Sequence, residues 1–367
     1  MPITVIGSLI ITYAVIQTVV FLLLIRFVDL YEREPISILG IMTLWGAVGA
    51  TSLSAIGNVA VGGLLPTNIK VVFGSAISAP VVEEFAKGAA LVVFLMLSMW
   101  ARGRFGIPRF EGVTDGIVYG AAIGLGFAFT EDILYLLLGA SQGGLKEGFV
   151  EYLGRRDFFG LGMLHHAIYT GAFGVGLGLA TWSRRLSARL LLPLLGLGLA
   201  IVLHAINNGL VRLVLVLEYG LDTVATSLGG SAGGPVFEQM QGTASQVGRV
   251  VQVLDYVLVI AFAFVIQLWL RYQRRVIREE LAEEADRGLI SNTEWELIPS
   301  YWRRSMWYWH LIKTGQWERW RLLKRIHNEL VDFALLKRRL KDGDHGAEIE
   351  RSRQLIAKLK AQKVVFL

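Results

Sequence analysis

The chain has 367 residues, 54% of them hydrophobic, with 41 glycines, no cysteine and a formal charge of +6. The apolar share is too high for one soluble domain and comes in long runs, which excludes an ordinary water-soluble enzyme. Absent cysteine excludes disulfides, a cysteine protease, thiolate metal sites and S-acylation.

The charge is uneven. Residues 1–271 hold 16 Lys/Arg and 16 Asp/Glu, whereas residues 272–367 hold 20 and 14, so the surplus sits in the tail. The expected fold is all-α: a polytopic membrane domain over 1–271, then a basic, Trp-rich helical cytosolic tail over 272–367.

A membrane helix needs roughly 20 apolar residues. Seven stretches qualify: about 3–25, 37–58, 71–99, 113–138, 158–182, 189–217 and 248–270. The first lacks a basic leader and a small-residue cleavage site, so it reads as a retained span. Basic residues cluster after the third span (Arg102, Arg104, Arg109), after the fifth (Arg184, Arg185, Arg189) and at the end of the seventh (Arg271, Arg274, Arg275, Arg278). By the positive-inside tendency these places share the cytosolic side, which puts the N-terminus outside. The slightly acidic loop 26–35 runs against that bias. Residues 219–248, with no Lys or Arg, read as a flexible outer loop, and 140–157 as a second outer loop.

In the tail, Ser291 and Glu294 have capping-box spacing. Leu322, Ile326, Leu330, Phe333, Leu336 and Leu340 form an apolar helical stripe. Trp295, Trp302, Trp307, Trp309, Trp317 and Trp320 lie among Arg303, Arg304, Arg319 and Arg321. Two readings stand: an interfacial helix on anionic lipid, or a small bundle with Trp in its core. A cytosolic regulator is a further partner class for the tail, and no motif supports nucleic-acid binding.

Charges inside a bilayer are costly and need a partner or a task. The third span holds Glu83, Glu84 and Lys87; the fourth, Glu131 and Asp132; the fifth, His165 and His166; the sixth, His204, Asn207, Asn208 and Arg212; the seventh, Asp255. Lys87 is three and four residues from the two glutamates, within reach of either. Adjacent carboxylates in a low dielectric do not readily both ionise; Lys87 balances one and leaves the other to accept a proton. Phe127 and Glu131 are i,i+4. Gly116, Gly120 and Gly124 form a small-residue ridge, with Gly124 about 20° from Glu131 around the helix, so Glu131 should press on another helix. His166 shares a face with Thr170, and His204 with Asn208. Counted at about 1.5 Å per residue, these groups fall between the outer interface and mid-bilayer.

Arg212 and Asp255 are expected to form a structural ion pair, Asp115 to be interfacial or capping, and His165 to be the spare of its pair. His310, His327 and His345 are expected to be solvated. The zinc-protease motif H-E-x-x-H is absent, as are rhomboid-type serine and presenilin-type aspartate motifs.

Glu83-Glu84-Phe-Ala-Lys87, Gly126-Phe127-Ala-Phe-Thr-Glu131-Asp132-Ile-Leu-Tyr135, His166-Ala-Ile-Tyr-Thr170 and His204-Ala-Ile-Asn-Asn208 occur in that order on four successive spans. This ordered set resembles the PrsW family of bacterial intramembrane proteases, within the CAAX-protease-like CPBP (Abi) superfamily. Asp29-Leu-Tyr-Glu-Arg-Glu-Pro35 and Asp115-Gly116 are similar to the family too, and the likeness covers about 25–215. Asp132 departs from the family's usual Asn and adds a second charge.

The resemblance implies cleavage of a single-span membrane protein, such as an anti-sigma factor, near the extracytoplasmic side, in the bacterial cytoplasmic membrane. It implies Glu83 as general base, Glu84 and Lys87 tuning it, Glu131 and His166 orienting water and moving a proton, and His204 and Asn208 donating to the oxyanion. Phe127, Asp132 and Thr170 would support them. A metal-free mechanism is the preferred reading, because Lys87 opposes a dication. The zinc variant would use His166, His204, Glu131 and Glu84. A non-catalytic binder of membrane peptides and a proton-coupled carrier stay open, the carrier weakened by the absence of an inverted repeat.

Overall fold

The computed structural model describes residues 3–31, 34–101, 110, 112–144, 161–228, 235–340 and 346–363. Among them the chain is helical throughout, with no strand. Two compact units are present: Met1–Val28 with Glu34–Ala263, and Asp29–Arg33 with Phe264–Leu367.

In the first unit, α1 (Ile3–Val28) is followed by α2 (Ile36–Leu44), a π-helical stretch Trp45–Ala50 and α3 (Thr51–Leu64). Next come α4 (Thr67–Phe73), a second π-helical stretch Gly74–Ser78 and α5 (Ala79–Ala101). The unit continues with α6 (Val113–Gly143), α7 (Leu164–Trp182), α8 (Leu186–Tyr219), the short α9 (Leu221–Thr226) and the first part of α10 (Pro235–Asp286). Five helical stretches are long and apolar enough to cross a membrane: Ile11–Val28, Ile36–Leu64, Val113–Ser141, Leu186–Tyr219 and one in Pro235–Asp286. The two other expected spans are also helical, α5 and α7, and they carry Glu83, Glu84, Lys87, His165 and His166. Large apolar side chains such as Ile16, Phe27, Leu194 and Ile260 point outward from these helices. Such surface suits lipid, not water, and the protein is an integral membrane protein.

α6 is the buried centre. Gly116, Gly120 and Gly124 lie against the α7 backbone, so a Cβ on them would come within 2.0, 2.6 and 2.2 Å of the Gly174, Thr170 and His166 carbonyl oxygens. On the opposite side, Gly126 of α6 lies against the Thr43 carbonyl, and Gly46 of the π-helical stretch against the Ile123 carbonyl of α6. Small residues allow this approach where lipid supplies no hydrophobic drive. Leu91, Phe94, Tyr119, Ile123, Tyr169 and Phe173 fill the remaining core.

The two π-helical stretches are rich in Gly, Ala and Ser, and neighbours take up their loosened carbonyls. Thr51 and Thr130 donate to Gly46 O and Ala47 O at 3.0 and 2.7 Å. Arg212 donates to Val72 O at 3.1 Å and to the Ser75 hydroxyl, and Asn208 donates to Ser75 O at 3.2 Å. Single π turns inside α-helices are frequent at functional sites, and the second one here immediately precedes the turn that carries Glu83.

Residues 221–226 and 235–248 are helical, which corrects the flexible-loop expectation for those parts of 219–248; α9 fills the first, and α10 begins earlier than its apolar run. Residues 229–234, the stretch 145–160, the basic segment 102–109 and His345 lie outside the described residues.

The second unit holds the rest of α10, then α11 (Asn292–Leu297), α12 (Tyr301–Lys313), α13 (Trp317–Leu340) and α14 (Gly346–Lys363). Ser291 and Glu294 form both arms of the expected capping box, at 3.2 and 2.9 Å. Gly288 and Gly315, at φ of +74° each, end α10 and α12, with Leu289 N and Gln316 N reaching back to Glu284 O and Leu311 O. The core is aliphatic, built on Ile277, Leu281, Ile298, Leu311, Leu323, Ile326, Leu330 and Phe333. Of the expected stripe, Ile326, Leu330 and Phe333 are buried, while Leu322, Leu336 and Leu340 are half-buried at its margins. Three of the six tryptophans, Trp302, Trp309 and Trp317, are exposed, while Trp295, Trp307 and Trp320 are half-buried at the margin of this core. Lys337 and Arg353 clamp the buried Glu284, at 2.8 Å each. His327 is fully buried, against expectation, because Tyr308 offers its ring a hydrogen bond at 2.7 Å; His310 is exposed as expected.

Candidate active site

Four helices of the first unit bring the four sequence motifs together. From α5, Glu83, Glu84 and Lys87 are all buried. Glu84 is the hub. Lys87 Nζ lies 2.5 Å from its Oε1, His204 Nδ1 lies 2.9 Å from the same oxygen, and the Thr170 hydroxyl donates to Oε2 at 3.2 Å. A cation, an imidazole and a hydroxyl therefore compensate one buried carboxylate, as a charge out of water requires.

Lys87 also donates to His166 Nδ1 at 3.0 Å and lies 4.2 Å from the Phe127 ring centroid. An ammonium only donates, so Nδ1 of His166 is the acceptor and its Nε2–H faces Glu131 Oε2 at 2.9 Å. The same logic fixes His204. Its Nδ1–H goes to Glu84, which leaves Nε2 as an acceptor, 3.2 Å from Asn208 Nδ2 and 3.7 Å from Glu83 Oε2. The two imidazoles meet edge to face at 4.9 Å, and Tyr169 stacks on His204 at 5.1 Å.

Every residue expected at the site is thus within this cluster or lines its cavity. The cavity is about 290 Å³, with Glu131, Asp132, His166, His204 and Asn208 on its wall. Glu83 is buried beside His204 and is not among the residues lining the cavity, and its Oε2 has no hydrogen-bond partner.

The expected Arg212–Asp255 pair does not form. Asp255 accepts from Asn207 at 2.9 Å and lies 3.5 Å from His165 Nε2, whereas Arg212 donates to Val72 O and to the Ser75 hydroxyl. His165 is therefore part of the cavity wall together with Asn207, Asp255 and Gln252. Sequence reading missed this second polar wall; the adjacent pairs His165-His166 and Asn207-Asn208 are its only signal, one member facing each way. Asp115 is buried within the first turn of α6.

Glu83, His166 and His204 each offer a donor atom within 4.8 Å of the others. Two imidazole nitrogens and a carboxylate suit a divalent ion in type, and the partnerless Glu83 Oε2 and the acceptor Nε2 of His204 are oriented for one. Glu84 on His204 Nδ1 is the outer carboxylate that commonly orients a metal-bound histidine. The candidate ligand set is thus Glu83 with the two histidines, where the sequence pointed to Glu84 and Glu131 beside those histidines; Glu84 is engaged by Lys87, His204 and Thr170.

These features define a helical membrane protein with a buried glutamate–histidine centre. Residues 34–228, more than half of the chain, match the profile described as PrsW family intramembrane metalloprotease, and the chain belongs to this family. A 110-residue stretch is 34% identical to Protease PrsW from Geobacillus kaustophilus (strain HTA426), covering 30% of this chain and 44% of that relative. No solved structure matches the chain.

Proposed function

We propose that the protein is an endopeptidase that hydrolyses a peptide bond of a single-span membrane protein, such as an anti-sigma factor, near the outer end of its span. The observation that carries this reading is the partnerless Glu83 Oε2, 3.7 Å from the acceptor nitrogen of a histidine whose other nitrogen is locked to Glu84.

The steps come from those positions. Glu83 takes a proton from water, and the water oxygen adds to the scissile carbonyl carbon. His204 Nε2 then receives that proton; Glu84, on Nδ1, stabilises the imidazolium as the carboxylate of a triad does. Asn208 Nδ2–H and the newly protonated Nε2 donate to the oxyanion. As the C–N bond breaks, its electron pair goes to nitrogen and the proton held on His204 Nε2 passes to the leaving amine, while His166 with Glu131 keeps the water in line. Lys87 acts indirectly by fixing Glu84 and the His166 tautomer.

A divalent ion held by Glu83, His166 and His204 would polarise the carbonyl and acidify its water. The glutamate-type reading is preferred, because Lys87 places a cation against His166 and Glu131 takes that ring's Nε2–H. Basic residues at the loops support a cytosolic tail and an outside N-terminus in a bacterial cytoplasmic membrane.

The test compares the terminal peptides of membrane proteins in cells carrying wild type or Glu83→Gln. New termini at the outer end of one single-span protein, seen with wild type alone, are expected. Matching profiles, with the variant still complementing a deletion, would leave a peptide-binding role in place of proteolysis.

A further inference from the structure

We propose that the second unit binds an anionic phospholipid leaflet, with the lipid phosphate held by Arg274, Arg278 and Arg303 and the Trp302–Met306–Trp309 face of α12 seated among the acyl chains.

Two adjoining cavities carry the argument. One, about 280 Å³, is lined by Arg271, Arg274, Tyr31 and Trp302; the other, about 260 Å³, by Arg274, Arg278, Arg303 and Trp295. Both share Arg274 and Pro299. Four guanidinium groups thus face a single carboxylate, Glu296. Arg271, Arg274 and Arg278 follow i, i+3, i+7 spacing, so one face of α10 presents them. Among the described residues no carboxylate pairs with these four arginines, whereas Lys337, Arg338, Arg353 and Lys360 of the same unit are all engaged by glutamates. Arg278 instead lies 5.1 Å from the Trp295 ring.

Chain continuity supplies the location. Phe264 and Leu268, one to two turns before Arg271, are exposed at 58% and 48%. They end the apolar run of α10, so the arginines come where a span leaves the bilayer. Guanidinium is suited to phosphate by its planar fork.

The apolar face supplies the second contact. Trp302, Met306 and Trp309 are 73%, 73% and 57% exposed and follow i, i+4, i+7 spacing. The aliphatic core of the unit does not use them. Trp302 also lines the arginine cavity, so the face and the phosphate site are continuous. Lys313 flanks it, 5.3 Å from the Trp309 ring. A helix with aromatic residues on one side and basic residues beside it is the pattern of interfacial binding.

The test uses the full chain in detergent with equimolar phosphatidylglycerol and phosphatidylcholine, read by native mass spectrometry. Wild type is expected to retain the anionic lipid at least about tenfold over the neutral one, each basic contact near an anionic surface adding about fivefold. Arg274→Gln/Arg278→Gln/Arg303→Gln should bring that ratio near unity. Trp302→Ser/Trp309→Ser should lower retention of both lipids. Should the triple variant fail to fold, the wild-type ratio must still fall several-fold from about 50 to 500 mM salt. Equal retention of the two lipids by wild type, or a preference unchanged in the triple variant, overturns the proposal. So does displacement by glycerol 1-phosphate, which would make a soluble phosphate compound the occupant.

Discussion

His204 donates Nδ1–H to Glu84 Oε1 at 2.9 Å, so its Nε2 lone pair is turned towards Glu83. The two neighbouring glutamates therefore have different tasks. Glu83→Gln should abolish cleavage while leaving the detergent melting temperature close to wild type. Glu84→Gln leaves Lys87 buried without its counter-ion, which typically costs about 3–5 kcal/mol, so it should lower both activity and melting temperature. Equal melting temperatures for the two variants would remove this division.

Metal content separates the two mechanisms. The glutamate-type reading expects purified wild type to carry no stoichiometric metal and to keep its activity after dialysis against a chelator. Stoichiometric zinc in wild type, lost in Glu83→Gln and His204→Ala together with activity, would establish the metal-dependent version.

Asn208→Ala removes the amide proposed to donate to the oxyanion once protonation of His204 Nε2 frees its N–H. A loss of about 10²–10³ in kcat is expected, the size found for a single oxyanion donor, with KM little changed. Because Asn208 also holds Ser75 O, a small drop in melting temperature should accompany it.

Gly124 has no room for a methyl group, since its Cβ would lie 2.2 Å from the His166 carbonyl oxygen. Gly124→Ala should destabilise by about 1–3 kcal/mol through overpacking, and it should reduce kcat by shifting His166 from Glu131. Gly7→Ala and Gly198→Ala, where nothing lies within 4 Å, are the controls and should be silent in both measurements.

In the second unit, burial works to raise the Glu284 carboxyl, but hydrogen bonds from Arg353 and Lys337 outweigh it and hold it below its ordinary range. The stabilisation from that carboxylate is complete above the ordinary glutamate value of about 4.3. It is lost as the pH falls further, through the lower folded value. Tryptophan fluorescence of the full chain should report an acid transition there. Glu284→Gln should be less stable at neutral pH and should show a smaller acid transition; an identical one in both proteins would dismiss Glu284 as its source.

Much of the site is legible in the sequence because helical spacing states which side chains share a face. Glu84 with Lys87, His204 with Asn208, and the glycine ridge with Glu131 all come from that rule. Spacing does not give the rotation of one long helix against another. Depth and charge alone match Asp255 with Arg212, although its helix turns it towards Asn207 and His165. Nor does spacing reveal a π turn, whose signature is only a few small residues. The tail shows the reverse case: burial of its aliphatic stripe is readable, but the fate of Trp302 depends on which residues the core has already accepted.

The π-helical stretch Gly74–Ser78 has a bearing on how the site is aligned. A π turn holds one more residue than an α turn, so it offsets the residues before it by about 100° relative to those after it. Val72 on one side packs with Leu215, Val224 and Met240, while Glu83 on the other meets His204. A strict α-helix through this point could not satisfy both. The added residue is an angular spacer, and removing one position from Gly74–Ser78 would rotate Glu83 away from His204 while leaving every side chain of the cluster in the sequence.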